Sequence, residues 1–155
     1  MAPHTRAQVA GQVDRFYALI TESATRHLVA QSYLQAIIHQ ESGGNERALR
    51  QEPRLQDASY GLMQLLGRTA RRLGFSGPLE GLFSPGTNIA LGARYFSGLL
   101  TRYPEPGAAL AHYNGGPKAG RAWTKGERRT RATRYAQTVL ALRAYYVRRN
   151  RALGR

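Results

Sequence analysis

Apolar residues recur at three- and four-residue spacing in several long stretches of the chain, and no stretch alternates in steps of two. The pattern therefore predicts helices rather than extended strands. Val9, Val13, Phe16, Tyr17 and Ile20 predict one helix from Thr5 to His27. Leu34, Ile37, Ile38 and Glu41 lie on one stripe of a second helix. Ser32 is its expected N-cap, with Gln35 completing a capping box, and Gly43-Gly44 stops it. Residues 45–68 read as irregular, with room for a small hairpin at 50–66. Thr69 is the expected cap of a short turn of helix ending at Leu73. Ser84-Pro85 opens a helix reaching Tyr103, with Ile89, Ala93 and Phe96 on its inner stripe. A short helix is expected over Gly107 to His112, then a tight turn at Gly115-Gly116-Pro117. The last helix covers Thr130 to Arg149, with Tyr135, Val139, Leu142 and Tyr146 facing inward. The fold class is mainly α, or α+β with a small hairpin, in one domain spanning 1–155.

Composition changes this picture little, and charge changes it more. Apolar residues make up 42% of the 155, enough for a core. There is no cysteine, which excludes disulfides and thiolate-bound metals. The four histidines show no metal-ligand spacing, and no nucleotide-binding or nucleophile-elbow motif is present, so no metal and no cofactor is expected. No apolar run reaches the roughly 18 residues of a membrane span. The net charge of +14 is uneven. From Lys118 to Arg155 there are twelve Lys and Arg against one acid, Glu127, so a basic C-terminal region (130–155 at its core) follows a nearly balanced body. Such a region suits a polyanionic partner, or is simply a solvated Arg-rich face.

Three clusters carry candidate chemistry. Glu41 projects from an apolar stripe near a helix end, where burial disfavours its charged form. A carboxylic acid kept protonated near neutral pH is what protonation of a glycosidic oxygen requires; the alternative is a helix-terminal Glu turned to water. Ser42 beside it offers a hydroxyl to orient that carboxyl. In Ser59-Tyr60-Gly61-Leu62-Met63-Gln64, Gly61 permits close approach of a ligand to backbone, Met63 offers an adaptable apolar wall and Gln64 can bond an acetamido group. A turn with Leu62 and Met63 tucked into the core explains the same residues. In His112-Tyr113-Asn114-Gly115-Gly116-Pro117, Tyr113 can hydrogen-bond near Glu41 and Asn114 can bind sugar, or the Asn-Gly turn merely packs its Tyr.

Together, in this order, the segments resemble the catalytic domain of the soluble lytic transglycosylases, over roughly residues 30–140. Leu34 to Gly43 is similar to the first motif, ending in the catalytic Glu and Ser. Gly61-Leu62-Met63-Gln64, with Thr69-Ala70 after it, resembles the second. Pro85 to Tyr95 resembles the following helix, and Ala111 to Pro117 the Ala-Tyr-Asn-Ala-Gly-Pro motif. Tyr135 falls where a final tyrosine is expected, although Arg131 to Ala136 lacks that motif's acid. Gly67 stands where proline is common, and His112 where a small residue is typical.

The resemblance implies a lysozyme-like α+β domain that cleaves the β-1,4 bond between N-acetylmuramic acid and N-acetylglucosamine in peptidoglycan. Glu41 would act as general acid and then base, closing a 1,6-anhydro ring. Ser42, Tyr60, Gly61, Met63, Gln64, Tyr113, Asn114 and Tyr135 would bind or support the substrate. Goose-type lysozymes resemble this pattern but carry Asp two residues after the Gln, where Leu66 stands here. Among the nearby acids Glu46, Glu52 and Asp57, Asp57 is the candidate to hold a hydrolytic water. A nucleic-acid-binding protein and a catalytically silent wall-binding module are the rival readings. The expected partners are peptidoglycan strands and an anionic wall or outer-membrane surface, with no specific nucleic acid, and the expected state is a monomer. The N-terminal stretch has no apolar segment behind its basic residue. The expectation is therefore a phage endolysin or virion enzyme reaching the wall by release or carriage, or else an excised domain of a larger secreted protein.

Overall fold

The structure, a computed structural model, describes residues 3–155; Met1 and Ala2, the start of the N-terminal stretch considered above, lie outside the described residues. The chain divides into two compact units, the first ending at Arg94 and the second running Tyr95–Arg155.

The first unit opens with α1 (Arg6–Asp14) and α2 (Tyr17–His27). Thr5 caps α1 through a capping box: its Oγ1 accepts from Gln8 N, and Gln8 Oε1 accepts from Thr5 N at 2.7 Å. The single helix expected here is broken at Arg15-Phe16. Phe16 N bonds Val13 O three residues back, and Ile20 N then bonds Phe16 O. This tight turn barely alters the helical phase, so Val13, Phe16 and Ile20 stay on one buried stripe and the apolar pattern runs straight through the break. α3 (Gln31–Ser42) starts from Ala30 with no side-chain cap. Ser32 and Gln35 do not form the expected box; they lie inside the helix and are buried. Leu34, Ala36, Ile37 and Ile38 are fully enclosed, and Gly43 ends the helix at φ +62°, a left-handed cap.

A three-stranded antiparallel sheet follows, in the order β1 (Leu49–Glu52), β2 (Asp57–Tyr60), β3 (Leu65–Leu66). Leu49 pairs with Tyr60 and Tyr60 with Leu65, so the 61–64 turn joins β2 to β3. α4 (Gly67–Arg72) begins two residues before the expected Thr69, which is buried within the helix. Asp57 caps it instead, accepting from Gly67 N at 3.2 Å and Arg68 N at 3.0 Å. This accounts for Gly67: a proline there would have no N–H to give, and a Cβ would stand 2.8 Å from Asp57 Oδ1. A 3₁₀ turn, Leu79–Phe83, leads into α5 (Pro85–Arg102), which carries the chain into the second unit.

In the second unit, α6 (Pro106–Thr124) packs on α7 (Arg131–Ala152). The short helix and turn expected at 107–117 are one longer element with a kink. Gly116 sits at φ +76°, ψ −170°, a region open to glycine alone, and the chain resumes as helix from Pro117. Proline suits that restart because a first helical residue needs no N–H partner. The core uses small residues for close approach: a Cβ on Gly107 would meet the Trp123 ring, and one on Gly120 the Tyr103 hydroxyl. Trp123 Nε1 donates to Glu105 at 2.8 Å, and Tyr103 Oη pairs with His112 Nδ1 at 2.8 Å. Thr130 caps α7 by accepting from Thr133 N. Tyr135, Val139, Leu142 and Tyr146 are buried, as their spacing predicts.

Candidate active site

Glu41 continues the stripe of Leu34, Ile37 and Ile38 into the last turn of α3 and is half-buried there. His39, in the same turn, is held below the usual histidine range by burial first and by the Arg6 charge second.

Ser42 fixes this helix end. Its hydroxyl lies 2.8 Å from the Leu62 carbonyl and 3.2 Å from the Ile38 carbonyl, and its oxygen accepts from Gly44 N at 3.2 Å. The shorter bond ties α3 to the 61–64 turn. Ser42 thus positions Glu41 through the backbone, by clamping the segment that carries it, where a direct bond to the carboxyl was expected.

Side-chain hydrogen bonds pin the 61–64 turn. Gln64 adopts φ +48°, and its Nε2 donates to Ala48 O at 3.1 Å and Gly61 O at 3.0 Å. That amide braces the turn from inside, so the donors expected to meet an acetamido group are already bonded. Met63 is fully buried, and a Cβ on Gly92 would collide with its sulfur. Its side chain is core packing under the turn, not an open wall. Gly61, at φ +71°, has space for no side chain: a Cβ would lie 2.5 Å from Asn88 Nδ2.

Asn88 is the residue that sequence reasoning missed. Fully buried on α5, it accepts from Met63 N at 2.8 Å and donates to Tyr60 O at 2.8 Å and Leu82 O at 2.9 Å. One amide thus holds the turn to the 3₁₀ segment. A lone amide beside Ile89 and Ala90 on an apolar helix was the available signal. Tyr60 stands half-buried with its ring 5.6 Å from Phe83, which the Arg47 guanidinium covers at 5.7 Å. Phe83 and Arg47 were also not anticipated.

Asp57, the candidate to hold a hydrolytic water, has no acceptor site left. Oδ1 takes Ala58 N at 2.8 Å and Gly67 N; Oδ2 takes Arg68 N and Arg68 Nε at 3.3 Å. Burial alone would raise its pKa, but these hydrogen bonds together outweigh burial and lower it. Glu46 pairs with Arg15 at 3.2 Å and Glu52 with Arg50 at 2.7 Å.

Tyr113, Asn114 and Tyr135 belong to the second unit. Tyr113 is half-buried on α6, its ring 5.2 Å from Tyr95 and 6.3 Å, edge-on, from Phe96. Asn114 is half-buried next to it, and Tyr135 is buried on α7. Among the described residues, no three His, Cys, Asp or Glu gather as a metal site, and no helix is long and apolar enough to cross a membrane.

A glutamate closing a buried helix, clamped to a turn of a small antiparallel sheet within a mainly helical chain, defines a lysozyme-like α+β protein. Residues 18–136 match the Transglycosylase SLT domain, and the chain belongs to that family. Its fold is similar to that of lytic transglycosylase Slt from Pseudomonas aeruginosa, solved as an inactive Glu-to-Gln mutant. That similarity has a TM-score of 0.71 and 27% identity, covering 89% of this chain and 24% of that one. The 70 kDa soluble lytic transglycosylase of Escherichia coli is similar at TM-score 0.73 and 24% identity, covering 84% and 24% of the two chains. A complex of the 70 kDa enzyme with bulgecin A is similar at TM-score 0.70. The chain spans about a quarter of the length of these structures.

Proposed function

We propose that this protein is a peptidoglycan lytic transglycosylase, cleaving the β-1,4 bond between N-acetylmuramic acid and N-acetylglucosamine. Glu41 gives its proton to the bridging oxygen as the C1–O bond breaks, and the muramyl 2-acetamido group shares the developing positive charge. The Glu41 carboxylate then takes the proton of the muramyl 6-hydroxyl, whose oxygen bonds to C1 and closes the 1,6-anhydro ring. The donor is restored and no water is consumed. Tyr113, Asn114 and Tyr135 enter this reading through their sequence motifs, as substrate-supporting groups.

The observation that carries the proposal is the clamp between Ser42 and Leu62, which fixes the Glu41 helix end to the Gly61-Leu62-Met63-Gln64 turn. Transglycosylation is favoured over hydrolysis because Asp57, Glu46 and Glu52 are all engaged in bonds of their own. The Glu-to-Gln inactivation of the Pseudomonas relative points to the same role for Glu41.

Digestion of purified peptidoglycan followed by mass analysis tests this. Wild type should release anhydro products, lighter by one water than hydrolytic ones. Glu41→Gln should lower the rate by about 10²- to 10⁴-fold, the usual weight of a general acid. Products with reducing ends alone would refute transglycosylation; undiminished turnover by Glu41→Gln would refute the assignment of the acid.

The basic C-terminal region supports a further part of the proposal, that the enzyme adheres to an anionic wall or outer-membrane surface. A role as a phage endolysin or virion enzyme fits that adhesion. It is tested by whether the chain lyses cells when released inside them or when added from outside.

A further inference from the structure

A groove of about 610 Å³ runs between α1 and the 43–46 segment, lined by His4, Gln8, Gln12, Arg15, Asn45 and Glu46 among others. That volume lies within the roughly 300 to 1,000 Å³ of small-ligand pockets. The groove borders Ser42 and Gly43 but its lining does not include Glu41. α1 precedes the residues that match the family, so this wall is outside the shared domain.

The chemistry of the lining is weighted towards donors. Three amides face the groove, and each has its oxygen bonded within the protein. Gln8 Oε1 accepts from Thr5 N at 2.7 Å, Gln12 Oε1 from Arg15 Nη1 at 3.3 Å, and Asn45 Oδ1 from Arg47 N at 3.0 Å. These partners are all donors, so they fix which end of each amide is oxygen and leave three NH₂ groups for a ligand. Arg15 adds a guanidinium whose side chain is half exposed. Glu46 is the one carboxylate, and its Oε1 is taken by Arg15. A sugar hydroxyl both donates and accepts and has no preference for such a wall. Carboxylates and amide carbonyls only accept, and they do.

We propose that this groove binds the peptide stem of a peptidoglycan fragment through its carboxylate and carbonyl oxygens. The identity of the ligand rests on the function proposed above; the donor-rich lining does not.

The test replaces each amide by its isosteric acid. Gln8→Glu keeps the capping box, Gln12→Glu keeps the Arg15 partner and Asn45→Asp keeps the turn, so the fold is retained while donors become acceptors. In a Glu41→Gln background, calorimetric titration compares a stem-bearing disaccharide fragment with the stem-free disaccharide. The triple replacement should weaken binding of the stem-bearing fragment about tenfold or more and leave the stem-free one within about twofold. A charge-matched control, Gln51→Glu, Gln56→Glu and Ser76→Glu on exposed positions, should bind both as the parent does.

Equal binding by parent and triple variant would overturn the proposal, as would equal loss for both fragments. Independently of any variant, the side-chain NH₂ resonances of Gln8, Gln12 and Asn45 should shift when the stem-bearing fragment is added to the parent protein; unmoved resonances would also overturn it. Stem binding in a protein whose wild type cleaves no peptidoglycan would leave the groove standing and remove the enzymatic reading.

Discussion

Asp57 shows how the bonds around one side chain change what it can offer. Read by position, it is a free acid near Gly61; in the structure its two oxygens accept four hydrogen bonds and start α4. Because these bonds favour the carboxylate, its folded pKa lies below its unfolded one. Its contribution is therefore present above the ordinary aspartate range, about pH 4, and is lost as pH falls through the lower folded value. Asp57→Ala should cost roughly 2 to 3 kcal/mol in urea unfolding at pH 7, and the gap to wild type should narrow at pH 3. A gap that does not change with pH would remove the carboxylate from the account. The place of Glu41 at the end of its stripe was legible because its neighbours are apolar at helical spacing. Asn88 was not, because its three partners lie 6, 25 and 28 residues away and only the folded turn collects them.

At the scale of elements, α1 depends on a glycine that the sequence marks only as a helix stop. Gly44 has φ +83°, and a Cβ there would stand 2.9 Å from the Gln12 backbone. Gly44→Ala should therefore push α1 from its seat and cost roughly 1 to 3 kcal/mol. Amide exchange should quicken over residues 6–14 and stay unchanged in α5; uniform quickening would place the effect in the whole unit instead. The helices themselves were legible from apolar spacing, as were the Thr5 and Thr130 starts and the Gly43 stop, but the N-caps of α3 and α4 were not. Ser32 and Thr69 have cap chemistry yet are buried inside helices, while Asp57 caps α4 from another strand. Local sequence shows which residues can cap, and tertiary packing shows which of them is in place.

Over the whole molecule the dominant feature is charge, +14 in total and concentrated after Lys118. On α7, Arg131, Arg134, Arg148 and Arg151 are exposed, and among the described residues no carboxylate pairs with them. At helical rise, Arg134 and Arg148 stand about 21 Å apart, which suits an extended polyanion better than a single small anion. Raising salt from about 0.1 M to 0.5 M should weaken binding to cell walls about tenfold, because exposed charges are screened within a shorter distance. Turnover of short soluble glycans should fall much less. Equal losses in both assays would separate the basic region from wall adhesion.

The sequence by itself determined the helical class, the stripe that ends in Glu41, the small hairpin and the uneven charge. The first two are set by neighbours within a turn or two, where periodicity and residue type suffice, and the charge is a matter of composition. Only the tertiary structure decided that Met63 and Gln64 are internal braces, that Asp57 is saturated and that three amides present donors to one groove. Hydrogen-bond satisfaction is a property of groups brought together from distant positions, and no local pattern records it.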